Sequence, residues 1–102
     1  DVNYTQGWVT LNCGDPVGAI EHLRLALDEY RELGEYDGFG YPMHAMAQCY
    51  LSMGNFDGLR ECIAETTEVN KLATIKGTRL RALIRTIQEM IDAEEPREDS
   101  EG

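Results

Sequence analysis

The chain has 102 residues, with 19 acidic against 9 basic side chains, a net charge of −10 and 42% hydrophobic residues. That length suits one small domain with a modest core or a piece of a longer array, and the apolar fraction excludes wholesale disorder. The acidity argues against broad electrostatic binding to nucleic acid or an anionic membrane, and no apolar run approaches the ~18 residues of a membrane span.

Apolar residues begin at Val2 and Tyr4, with no initiator Met and no capping signal ahead of them. An excised fragment or a processed chain, entered part-way through its first helix, would read this way. Cys13, Cys49 and Cys62 are odd in number, far apart and without a CxxC pair. They suggest neither a disulfide framework nor a zinc module, and they place the chain by default in the reducing cytoplasm. Asn3-Tyr4-Thr5 matches the glycosylation acceptor pattern, a three-residue coincidence read here as silent.

Helical periodicity runs through most of the sequence, and no stretch keeps the two-residue alternation of a strand. The first helix is expected over about 2–12, with Tyr4, Trp8 and Leu11 on one face. Gly14 stops it, and Asp15-Pro16 supplies an N-cap followed by proline in the first turn. A second helix over about 16–33 carries Ala19, Leu23, Ala26, Tyr30 and Leu33 at three- and four-residue steps, with Glu21, Arg24, Asp28, Glu29 and Glu32 opposite. Gly34 ends it, and residues 35–40 form a glycine-rich connection. Pro42 opens a third helix with Met43, Met46, Ala47, Tyr50 and Leu51 on one stripe. Gly54 closes it, Asn55 or Asp57 caps a fourth helix, and Phe56, Leu59, Ile63 and Thr66 share a face there. A fifth helix is expected over about 73–93, with Leu80, Leu83, Ile84, Ile87, Met90 and Ile91 as its stripe. Residues 94–102 are acidic, contain Pro96, and read as a disordered tail.

Comparison of the chain with itself shows an internal repeat. Gly14-Asp15-Pro16 and Gly54-Asn55-Phe56 are turns of the same kind, forty residues apart. Ala19, Leu23 and Ala26 follow the first at the offsets of Leu59, Ile63 and Thr66 after the second, and Leu83, Ile87 and Met90 stand forty residues beyond Met43, Ala47 and Tyr50.

At these residues the chain resembles a tetratricopeptide repeat. Gly14-Asp15, Ala19-Ile20-Glu21 and Ala26-Leu27 match the family's turn and second helix. Met43, Met46, Ala47 and Tyr50, then Gly54-Asn55-Phe56, match the first helix and turn of the next repeat. The resemblance covers roughly residues 3–91, in the long-link variety rather than at the usual spacing of about 34. Leu59 and Thr66 stand at the two small-residue positions of the second repeat, and helix one fits either a Gly7 register or one on Tyr4, Trp8 and Leu11. The resemblance implies an all-α, right-handed stack of antiparallel helix pairs over residues 1–93, ended by a long capping helix. It also implies a concave groove lined by the first helix of each pair, which nominates Tyr4, Trp8, Tyr41, His44, Gln48, Ser52, Arg81, Arg85 and Gln88. At the places where the carboxylate-clamp subset of the family carries Lys and Asn, this chain has Tyr4, Trp8 and Ala45. Only Arg81 and Arg85 are reminiscent of a clamp. For Tyr4 and Trp8 the competing reading is core packing.

Catalysis finds little support, with two histidines and no GxSxG, HExxH or phosphate-loop pattern. His44 and Cys49 lack an orienting third group, and Cys13, His22, Cys49 and Cys62 lack paired ligand spacing. Asp37-Gly38-Phe39-Gly40 has too few carboxylates for calcium and no following Lys-Ser/Thr; it reads as an inter-repeat link with Phe39 plugging the junction. Residues 63–88 hold two acids and five bases, Lys71, Lys76, Arg79, Arg81 and Arg85, in an otherwise acidic chain. This stripe fits either a solvated face or a dock for an acidic or phosphate-bearing partner. The expectation is therefore a noncovalent protein- or peptide-binding scaffold or sensor, not an enzyme, without cofactor or metal. No contact with nucleic acid or membrane is expected. A homo-oligomerisation module, or a regulatory appendage of a larger enzyme or transcription regulator, is the alternative.

Overall fold

The computed structural model describes residues 2–36, 38–72 and 78–95. Within them lie five α-helices: α1 (Val2–Asn12), α2 (Pro16–Leu33), α3 (Gly40–Met53), α4 (Phe56–Leu72) and α5 (Thr78–Glu94). The described residues contain no strand. The fold class is all-α.

The turns follow from the residues that punctuate them. Gly14, Gly34 and Gly54 have φ of 88°, 70° and 69°, a left-handed conformation that costs glycine little. After α1, the Gly14 and Asp15 amides donate to Leu11 O (2.9 Å) and Thr10 O (3.1 Å); after α3, the Gly54 and Asn55 amides donate to Leu51 O (3.0 Å) and Tyr50 O (2.9 Å). The next helix is then capped in the same way. The Gly18 amide donates to Asp15 Oδ1 at 2.9 Å, and the Gly58 amide to Asn55 Oδ1 at 2.9 Å. Of the two candidate caps for α4, Asn55 is the one used. Asp57 lies in the first turn, where its Oδ1 accepts from Arg60 at 3.0 Å.

α3 is the centre of the molecule, packed by α1, α2, α4 and α5. Met43, Ala45, Met46, Ala47 and Cys49 on it are fully buried, and so are Ala19, Leu23, Ala26 and Leu27 on α2. The helix begins at Gly40, two residues before Pro42, so the proline sits inside the first turn where no intrahelical amide bond is lost. Phe39 is fully buried ahead of it, which fits its expected place at the junction; Asp37 lies outside the described residues.

In α1 the buried residue is Gly7. A Cβ there would stand 2.5 Å from Leu23 Cδ2, so the missing side chain is what lets α2 approach. Tyr4, Trp8 and Leu11 are half-buried and pack against the core from the neighbouring face. α2 and α4 are tied across α3 by Glu65, which accepts from Arg24 at 2.8 and 3.1 Å and from Arg31 at 3.4 Å. The same Arg24 places Nη2 3.8 Å from Met46 Sδ. Hydrogen bonding to Glu65 pushes the Arg24 pKa further up.

α5 packs on α4 and α3 through Leu80, Leu83, Ile87 and Ile91, all buried. Arg60 near the start of α4 pairs with Glu95 just past the end of α5, so these two helices run antiparallel. Residues 73–77, expected as the start of this helix, and 96–102, most of the expected acidic tail, lie outside the described residues. Glu94, expected in the tail, is the last residue of α5.

Candidate functional site

α3 and α5 leave a groove of about 210 Å³ between their N-terminal halves. Gly40, Tyr41 and His44 line it from α3, and Arg79, Ala82, Leu83 and Thr86 from α5. The helical repeat explains this set. At 100° per residue, Tyr41 and His44 stand on the flank of α3 next to its core stripe, and Arg79, Ala82 and Thr86 on one flank of α5. Leu83 supplies an apolar floor, and the rim is polar. Arg79 Nη1 donates to Tyr41 Oη, and the guanidinium carbon lies 5.3 Å from the tyrosine ring centre. Tyr41 keeps 48% of its surface exposed. His44 Nε2 lies 3.5 Å from Gln48 Nε2, one turn along. Among the described residues no carboxylate lines the groove, although acidic residues outnumber basic ones about two to one in the chain.

Of the residues nominated from the sequence, Tyr41 and His44 meet in this groove and Gln48 stands beside His44. Tyr4 and Trp8 do not line it. Their rings meet edge to face, with centroids 6.4 Å apart at 74°, and both lean on the core. Arg81 and Arg85 are exposed on the other flank of α5, roughly 110° around the helix from the groove-lining side chains. Neither has an ion pair or hydrogen bond among the described residues. Gln88, on the same flank, donates to Asp92 Oδ1 at 3.1 Å, and Ser52 is exposed near the end of α3. Ala45, at a clamp position, is fully buried. Within the basic stripe, Lys71 pairs with Glu68 at 3.5 Å, and Lys76 lies outside the described residues.

The sequence places Arg79 in the basic stripe but not in the groove, and it nominates neither Ala82 nor Thr86. Their signal was the stripe of α5 itself, which centres on Leu80, Leu83 and Ile87 and sets two flanks. Only the position of α3 says which flank faces the groove.

The buried thiols have a different character. Burial pushes Cys49 up to about 11 and Cys62 up to about 12, the latter helped by Glu65. Both are neutral thiols at physiological pH, which makes them packing groups and poor nucleophiles. Cys13 is exposed. Among the described residues no three His, Cys, Asp or Glu side chains come together to hold a metal, and no helix is long and apolar enough to cross a membrane. A wider hollow at the end of α2 is lined by Glu29, Tyr30, Glu32, Leu33 and Glu35, with an acidic rim. Compared with protein-family models, with curated proteins and with solved structures, the chain matches none of them.

Proposed function

We propose that the chain is a noncovalent protein- or peptide-binding module, a tetratricopeptide-like stack in which α1–α2 and α3–α4 are successive repeats and α5 is the cap. Its groove between α3 and α5 receives a segment of a partner protein. The observation that carries this reading is the Tyr41–Arg79 pair at the mouth of an apolar-floored groove that no carboxylate lines among the described residues. Tyrosine and arginine are the side chains that most often dominate interface energy, because each offers a large face and directional donors. Here each braces the other, so less side-chain freedom is lost when a partner lands on them. The stack reading is supported by two turns with the same capping hydrogen bonds forty residues apart. Neutral buried thiols and a histidine whose hydrogen-bonding neighbour is an amide favour binding over covalent chemistry.

The test is selection of peptides from a displayed library against the whole chain, followed by titration of the selected peptide into parent, Tyr41→Ala and Arg79→Ala proteins. Each substitution is expected to weaken binding by about tenfold or more, or ~1.4 kcal/mol. Arg81→Ala, on the far flank, is expected to leave it unchanged. A selected peptide that ignores both groove substitutions sinks the assignment.

A further inference from the structure

The chain carries 19 acids and 9 bases, yet the groove between α3 and α5 has the opposite polarity. Among the described residues that line it, Arg79 holds the one fixed charge. Arg24, Arg31, Arg60 and Lys71 each pair with a carboxylate. Arg79 has no ion pair among the described residues, and its partner is the neutral Tyr41 hydroxyl. That bond uses Nη1, and the tyrosine ring, centred 5.3 Å from the guanidinium carbon, steadies the group. The other edge of the fork, Nε and Nη2, is the one that takes a carboxylate through two parallel hydrogen bonds, and Arg79 is exposed.

The backbone adds to this field. α3 turns tightly into α4, and α4 runs antiparallel to α5, so α3 and α5 point the same way with both N-termini at the Tyr41–Arg79 end. Neither helix has an acidic residue in its first turn, and the positive ends of two helix dipoles favour an anion beside Arg79. The far end differs. Glu89, one turn past Thr86 on the same flank of α5, is exposed about 15 Å along the axis from Arg79.

We propose that the groove takes a partner segment that presents a lone aspartate or glutamate side chain beside an apolar one. The proposal rests on the reading of the groove as a peptide site and names what that site selects. The carboxylate pairs with the Arg79 fork, and the apolar side chain lies on Leu83. A volume of about 210 Å³, below the ~300–1,000 Å³ of small-molecule sites, suits a pair of neighbouring side chains. A single charge is favoured over a run of acids, because a run along the groove meets Glu89 and the field of a chain at −10. A phosphate is disfavoured, because it brings nearly two charges and three acceptor oxygens to one guanidinium.

Two displayed libraries of short peptides test this, each peptide held within a loop so that neither end is free. One library has glutamate at its centre and the other glutamine, and every other position is uncharged. Both are selected against the whole chain. Enriched peptides are made as matched Glu and Gln twins, blocked at both ends, and titrated into parent, Tyr41→Ala, Arg79→Gln and Arg81→Gln proteins. The glutamate peptide is expected to bind the parent more tightly than its twin by about tenfold or more. Arg79→Gln is expected to remove that difference and Arg81→Gln to keep it. Helicity by circular dichroism verifies that the variants fold, and the parent's choice between the twins needs no variant. A peptide weakened by Tyr41→Ala yet indifferent to the Glu–Gln exchange overturns the anionic occupant and leaves the groove reading standing. Enrichment from neither library overturns the proposal as well, as does a preference that survives Arg79→Gln. Peptides indifferent to Tyr41→Ala remove both readings, and a phosphoserine twin that binds more tightly than the glutamate peptide overturns the choice of a carboxylate.

Discussion

The two helical hairpins, α1–α2 and α3–α4, leave their turns through the same hydrogen bonds, yet they pinch together in different places. In the first the close approach is at Gly7 of α1, where an added Cβ would stand 2.5 Å from Leu23. In the second, Ala47 holds the equivalent position and the close approach has moved to Gly58 of α4, where a Cβ would lie 2.4 Å from the ring of Tyr50. Thr10 stands where Tyr50 would be in the first hairpin, and the atoms nearest an added Cβ at Gly18 belong to the Asp15 cap. Turn chemistry therefore sets how a pair starts, while side-chain volume decides where its helices come closest.

The largest expected effect removes the residue between the hairpins. Phe39 is fully buried in the link, and Phe39→Ala should cost about 3–5 kcal/mol, read as a drop in the denaturant midpoint. A loss below about 1 kcal/mol would mean that the hairpins hold together without it. Gly7→Ala comes next. It gains up to ~1 kcal/mol of helix propensity but drives a methyl into Leu23, whose burial is complete, so a net loss of about 1–3 kcal/mol is expected. Gly58→Ala faces the ring of Tyr50, which is half-buried and can swing toward water, so the propensity gain offsets most of the clash and a change within about 1 kcal/mol is expected. Equal losses at the two glycines would erase the contrast between the hairpins.

Much of the fold was legible because it is written locally. Asp15-Pro16, Gly34, Gly54 and Asn55 act on the hydrogen bonds of their own turns, so helix ends could be read within a residue or two from those signals alone. The stripe of α5 was legible for the same reason. The register of α1 was not, because Gly7 matters only through Leu23 on another helix, and a helical wheel gives more weight to Tyr4, Trp8 and Leu11. The groove divided along the same line. Tyr41 and His44 are nominated by the repeat resemblance, which gives the groove to the first helix of each pair, whereas Arg79 rather than Arg81 or Arg85 depends on which flank of α5 meets α3. That is a docking angle, and no periodicity within α5 contains it.

The hairpins also differ in their titration. Cys49 and Cys62 both belong to the second; Val9 and His22 hold the equivalent positions in the first. Burial raises both thiol pKa values in the folded state, to about 11 and about 12. The folded form therefore keeps its protons longer than the unfolded chain does. Their contribution is complete below the ordinary thiol pKa of ~8.5–9 and is lost as pH rises from there through the folded values. Each thiol costs up to about 1.4 kcal/mol of stability per pH unit in that window. Cys62→Ala should flatten the alkaline limb of a stability–pH profile while lowering the neutral plateau. An alkaline limb unchanged in Cys62→Ala and in Cys49→Ala would place the titration elsewhere.

The finest difference lies in the caps themselves. Asp15 and Asn55 accept the same bond from the amide three residues on, both at 2.9 Å. Removing either, as Asp15→Ala or Asn55→Ala, should cost about 1 kcal/mol, since each leaves one first-turn amide without its protein partner. The two oxygens differ in charge. A carboxylate at a helix N-terminus adds attraction to the helix dipole, typically 0.3–1 kcal/mol at low ionic strength and screened by salt. Asp15→Asn keeps the hydrogen bond and removes only that attraction, so it should lose a few tenths of a kcal/mol in dilute buffer and almost nothing in high salt. Asn55→Asp should gain less than Asp15→Asn loses, because Asp57 is already in the first turn of α4 whereas α2 has no acidic residue there. A salt-independent loss at Asp15 would show that its contribution lies in cap geometry alone, and the two hairpins would then begin alike in energy as well as in form.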